Sequence, residues 1–125
     1  MEKIFLCGMS ALEYNMVCGP SPAEQYAGEI LSSWIEKITG EKMVGGKGVI
    51  DLHIEENPRD EEGYSIINVP ERLSIIGNGP RGILYGTYAF LEKYLDVYHY
   101  APGVTSAGRG GEIGEINESF SPIFE

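Results

Sequence analysis

The chain has 125 residues and a mass of 13.7 kDa. That is one domain with room for a core, and too little for a (β/α)8 barrel, which needs about 250 residues. Nine basic and nineteen acidic side chains leave a net charge of −10, which repels nucleic-acid phosphates and anionic membranes and argues against both as partners. No apolar run approaches membrane-spanning length. The opening residues are too short for a signal peptide, so the expected location is cytoplasmic, or periplasmic or secreted if a leader has been removed.

In chain order, Lys3 to Cys7 (KIFLC) and Glu13 to Cys18 (EYNMVC) read as two short strands joined by Met9 to Leu12. Gly19-Pro20 ends the second, because proline cannot continue a ladder. Ser21-Pro22-Ala23-Glu24 is a capping box with proline at the first helical position. Behind it Tyr26, Ala27, Ile30, Leu31, Trp34, Ile35 and Ile38 form one wide apolar face, and Gly40 supplies a left-handed end. The spacing predicts a helix lying on a sheet.

Val49 to Ile54 (VIDLHI) alternates as a strand, and the acidic stretch Glu55 to Glu62 with Asn57-Pro58 is a solvated loop. Tyr64 to Val69 and Leu73 to Ile76, separated by Pro70-Glu71-Arg72, read as an antiparallel hairpin. Gly77 to Gly82 opens a second helix whose apolar positions are Ile83, Leu84, Thr87, Tyr88, Phe90, Leu91, Tyr94 and Leu95. Gly82 and Gly86 within it cost about 1 kcal/mol each against alanine, which predicts close approach to a neighbour. Val97 to Tyr100 reads as an aromatic strand, Val104 to Gly111 as a glycine-rich loop, Glu112 to Ile116 as a last strand, and the remainder as a tail. The order is β-β-α-β-β-β-α-β-β. It predicts an α+β domain over 1–125 with a mixed, mostly antiparallel sheet and two helices packed on one face.

Gly77-Asn78-Gly79-Pro80-Arg81-Gly82 matches G-x-G-x-x-G between a strand and a helix. Pro80 removes a backbone donor from the turn, too little chain follows, and no acid stands near the ribose position, so a dinucleotide site is rejected. A tight turn and a close-packed helix start explain Gly77, Gly79 and Gly82. Arg81 beside the helix start keeps open a role in holding a carboxylate or phosphate. Cys7 and Cys18 build no disulfide framework and read as small buried hydrophobes. With His53 and His99 far apart, no metal set is present and no cofactor is expected. Glycosidase chemistry needs two carboxylates about 5–10 Å apart; the acids here crowd into loops or the polar helix face, and no nucleophile context is recognisable. Asn117-Glu118-Ser119 fits a glycosylation sequon, read as chance. Tyr98, His99 and Tyr100 are the conspicuous cluster, open to three readings: edge-strand packing, a domain interface, or contact with sugar.

Together these segments are similar to a known group. Ser21 to Gly40, ending in Ile38-Thr39-Gly40, resembles the first helix of the N-terminal accessory domain of α-glucuronidases and of β-N-acetylhexosaminidase-like glycoside hydrolases. Leu73 to Gly103 resembles the group's second block, a glycine turn, a helix and an aromatic strand, through Gly82, Tyr85, Gly86, Tyr88, Phe90, Leu91, Glu92, Pro102 and Gly103. Ser121 to Phe124 resembles the stretch that leads into the barrel. An Arg-Trp pair common near Tyr98-His99 is absent. The resemblance implies a noncatalytic domain whose partner is the parent enzyme's catalytic barrel, with the catalytic acids on that barrel and none here. Carbohydrate is a further candidate partner, and an independent carbohydrate-binding module using Tyr98, His99, Tyr100 and Trp34 is the alternative.

Overall fold

The structure, a computed structural model, describes residues 2–97, 99–101, 104–105 and 108–121, with 99–101 and 104–105 described by backbone path alone. Strand β1 (Ile4–Leu6) turns through Cys7-Gly8 into β2 (Met9–Ser10). Both turn residues are left-handed, φ 50° and 84°, the geometry that matches the twist of a two-residue hairpin. Where a plain connection was expected, β2 therefore pairs back on β1. A short 3-10 turn (Ala11–Glu13) then leads to β3 (Tyr14–Cys18).

Helix α1 (Pro22–Thr39) begins with both halves of the capping box formed and ends at Gly40 with φ 79°. It crosses from β3 to β4 (Gly48–Ile54), which lies parallel to β3. Next come β5 (Tyr64–Val69) and β6 (Arg72–Gly77), paired antiparallel with Val69 opposite Arg72 across Pro70-Glu71. Arg72 thus belongs to the strand, and Glu71 takes φ 68°. Proline first and a left-handed residue second is a type II turn. Helix α2 (Pro80–Leu95) follows. Strands β7 (His99–Ala101) and β8 (Val104–Thr105) form a small antiparallel ribbon, so part of the expected loop is strand.

The C-terminal region departs most from the sequence reading. The single expected strand, 112–116, is two: β9 (Gly111–Ile113), parallel to β1, and β10 (Ile116–Phe120), antiparallel to β5. The segment read as a tail is an edge strand of the central sheet. Its residues are mostly polar, so its signal lay in the alternation of Ile116, Glu118 and Phe120 and in a partner far away in sequence.

The central sheet has the order β10-β5-β6-β4-β3. Its β10–β5 and β5–β6 pairs are antiparallel and its β6–β4 and β4–β3 pairs parallel. Both helices pack on one face and on each other, which makes the fold α+β. Ile50, Leu52, Ile66, Leu73 and Ile75 meet Ala27, Leu31, Ile35, Ile83, Phe90 and Leu91, all buried. At about 25 cal/mol per Å2 of apolar area this layer is the main source of stability. Tyr14, fully buried, donates its hydroxyl to the Leu6 carbonyl at 3.1 Å and so ties the central sheet to the small one.

Two positions on the apolar helix faces are not in the core: Tyr26 on α1 and Tyr88 on α2 are 52% and 43% exposed. The apolar arcs are wider than the sheet and the neighbouring helix can cover, so the outermost rings face away. Cys7 and Cys18 are half-buried rather than buried. Burial, then nearby acids, pushes both thiols up, so they stay protonated and weakly reactive at neutral pH.

Candidate functional site

The glycine turn sets the geometry around Arg81. A Cβ on Gly77 would lie 2.1 Å from the Ile83 amide nitrogen, so the start of α2 rests directly on the end of β6. A Cβ on Gly82 would lie 2.2 Å from the Gly63 carbonyl oxygen, and the Gly82 amide donates to the Glu61 carbonyl at 3.2 Å. Gly79 is the extended N-cap residue and makes no side-chain cap. The loop before β5 thus covers the amide end of α2. Arg81 points away to Glu62, at 3.2 Å. Gly86 faces Ile75 and Tyr64, with 2.9 Å to the Ile75 methyl from a built Cβ.

Tyr98 lies outside the described residues, and of His99 and Tyr100 only the strand path in β7 is described. The residue before them, Val97, lines a groove of about 460 Å3 between the helices with Trp34, Tyr88, Leu91 and Glu92. Burial, followed by the neighbouring Tyr26, raises the Tyr88 pKa. Lys37 Nζ sits 4.5 Å over the Trp34 ring. Tyr85, 45% exposed, extends the aromatic surface along α2. Sequence reasoning placed Tyr26, Trp34 and Tyr88 on the apolar helix stripes, with Trp34 also in the sugar-binding alternative, and named Tyr85 only for the resemblance. The structure gathers them on the side of the helix pair that turns away from the sheet.

Three carboxylates, Asp51, Glu24 and Glu118, are held by well-defined partners. Asp51 receives Arg72 at 2.6 Å and faces His53 Nδ1 at 3.1 Å, on the sheet face opposite the helices. Glu24 is 5% exposed. It accepts from the Ser21 amide at 2.9 Å and from the Ile54 amide at 2.8 Å. Burial alone would raise its pKa, but hydrogen bonds from Ser21 and Ile54 and the nearby His53 outweigh it and hold the carboxyl low. Glu118 and Glu92 line a second groove, beside β10. Hydrogen bonds from Lys93 and Tyr94 hold the Glu118 carboxyl below its ordinary value. A glycosidase acid must keep a proton near neutrality, and this environment does the opposite. Among the described residues no group of three or more His, Cys, Asp or Glu could hold a metal ion, and no helix is long and apolar enough to cross a membrane.

With this geometry in hand, comparison with known proteins becomes informative at the level of fold. No protein-family profile and no curated protein matches the chain. Among solved structures it is similar to the GH20 β-N-acetylhexosaminidase from Streptomyces coelicolor A3(2), with a TM-score of 0.59 and 19% identity over 94% of this chain and 24% of that one. It is also similar to the Streptomyces plicatus N-acetyl-β-hexosaminidase solved with Thio-NAglucal, with a TM-score of 0.57 and 19% identity over 76% of this chain and 19% of that one. The fold is shared with part of these glycoside hydrolases. The chain spans about a quarter or less of their length.

Proposed function

We propose that the chain is a noncatalytic accessory domain of a glycoside hydrolase acting on oligosaccharides or polysaccharides, with a hexosaminidase- or α-glucuronidase-like parent. In this reading it packs against and flanks a (β/α)8 catalytic barrel of the same polypeptide. The observation that carries it is the outer face of the helix pair. Tyr26, Tyr85 and Tyr88 are exposed there, and Tyr88 lines an open groove with the half-buried Trp34. Aromatic rings with polar tips are enriched at interfaces between domains and subunits. The likeness to part of much longer glycoside hydrolases and the engagement of Asp51 and Glu24 by neighbouring groups support the same reading. A stand-alone module using Trp34 fits less well, because Trp34 is half-buried in the helix groove.

The test has two arms. The 125-residue chain by itself is expected to release no nitrophenol from aryl N-acetylhexosaminides or aryl glucuronides; turnover by the chain alone overturns the reading. Joined to its downstream barrel, the double variant Tyr85→Asp/Tyr88→Asp is expected to lower the melting temperature of the two-domain protein while leaving that of the isolated chain within about 2–4 °C. An unchanged melt of the two-domain protein would count against this face as the interface.

A further inference from the structure

The central sheet reaches one strand beyond the elements that α2 covers most closely. β10 is its edge, and between β10 and α2 lies the second groove, about 690 Å3 in volume. That size suits a small-molecule ligand. Along it Tyr64 and Phe120, opposite each other on β5 and β10, stack ring on ring with centroids 5.4 Å apart and planes 26° apart. Phe120 is 51% exposed, so its ring, backed by Tyr64, offers an open aromatic plate.

A charged group stands ready beside the plate. Glu118 Oε1 accepts from Lys93 Nζ at 2.6 Å and from the Tyr94 hydroxyl at 2.5 Å. Both bonds fall on one oxygen. Among the described residues none donates to Oε2, so that oxygen can accept from a ligand. Lys93 has donors left over, and Glu92 adds a second carboxylate to the lining.

The mixture selects among ligand classes. An apolar peptide or protein face laid here would bury the Glu118–Lys93 pair away from water, which is costly. A phosphate would meet two carboxylates on a chain of net charge −10. A sugar ring satisfies both halves: its C–H face lies on the open aromatic plate, and its hydroxyls donate to Glu118 and accept from Lys93. We propose that the groove between α2 and β10 is a saccharide-binding site for a neutral sugar unit, with Phe120, backed by Tyr64, as platform and Glu118 and Lys93 as hydroxyl partners. This groove opens toward β10 and adjoins the helix face assigned to the barrel only at Glu92, and the proposal does not depend on that assignment.

The experiment is a titration of the 15N-labelled chain with xylohexaose, chitotetraose and cellotetraose, followed by amide chemical shifts. At least one of them is expected to bind with a Kd on the order of 1 mM and to move resonances of β5, β10 and the C-terminal half of α2. Phe120→Ala is expected to weaken binding about tenfold or more, and Glu118→Gln about fivefold, while Tyr26→Ala on α1 changes nothing. Phe120→Trp, which keeps a plate, retains binding and separates loss of the platform from loosening of the edge strand. No shift with any of the three sugars at about 20 mM, shifts centred elsewhere, or wild-type binding by both Phe120→Ala and Glu118→Gln overturns the proposal.

Discussion

The two helices of this domain begin in different ways. At α1 the free amides are met by side chains a few residues away: Ser21 Oγ accepts from the Glu24 amide at 3.2 Å, and the Glu24 carboxylate reaches back to the Ser21 amide. At α2 no side chain caps the first turn. The Gly82 amide is met by the carbonyl of Glu61, and the Gly63 carbonyl closes on Gly82 so tightly that a side chain would not fit. One start is built from local chemistry, the other from the backbone of a loop some twenty residues upstream. A helix whose first turn carries its own partners can be read from four residues. A helix whose first turn borrows a loop can be read only once the loop is in place.

The comparison is sharpest at Gly82. A Gly82→Ala variant forces a methyl onto backbone oxygen that belongs to a different element, and is expected to lose about 2–3 kcal/mol, against alanine's intrinsic helix advantage of about 1 kcal/mol. Urea denaturation measures it. A stabilised Gly82→Ala would show that the loop gives way and that α2 does not depend on it.

Glu24 comes next, because it joins local and distant partners. Its carboxylate caps α1 and also holds the Ile54 amide at the end of β4. Glu24→Gln keeps one good acceptor where two are used, and is expected to cost about 1–3 kcal/mol. The folded carboxyl is held below its ordinary value of 4.5. Its contribution is therefore present above that pH and disappears as pH falls through the lowered value. Wild type is expected to lose stability steeply below about pH 4.5, with Glu118 adding in the same direction. The Glu24→Gln curve is expected to be flatter there. Parallel curves for the two proteins would remove Glu24 from the account.

The smallest effect belongs to the purely local contact. Ser21→Ala removes one cap hydrogen bond and leaves Glu24 on Ile54, for an expected loss of about 1 kcal/mol. A loss as large as that of Gly82→Ala would erase the distinction between the two starts.

Much of the fold was legible from the chain. The period of α1, its capping box and Gly40, the alternation of Val49 to Ile54, and the hairpin around Pro70-Glu71 each rest on contacts between near neighbours. Misreadings came where a turn was only half announced or where pairing is distant. Met9–Ser10 pairs through a left-handed Cys7-Gly8 turn that only the second residue announces. Asn117 to Phe120 looked like a tail because Asn117, Glu118 and Ser119 carry little apolar content, yet β5 holds them by a full ladder of backbone bonds. The candidate groove went unseen for the same reason: Glu118 and Phe120 sit on that strand, opposite Tyr64 and beside Lys93. Tyr26 and Tyr88 share a period with core residues, and periodicity alone does not say where the covering layer stops.

By itself, the sequence determined the helices, the principal hairpin and the inward side of each, because rotation per residue and hydrogen bonds within a turn depend on neighbours a few positions apart. Only the tertiary structure decided the strand order β10-β5-β6-β4-β3, the loop that closes the start of α2, and the rings left facing outward. Those features depend on which surfaces meet, and backbone groups and apolar faces of one kind accept many partners until packing selects one.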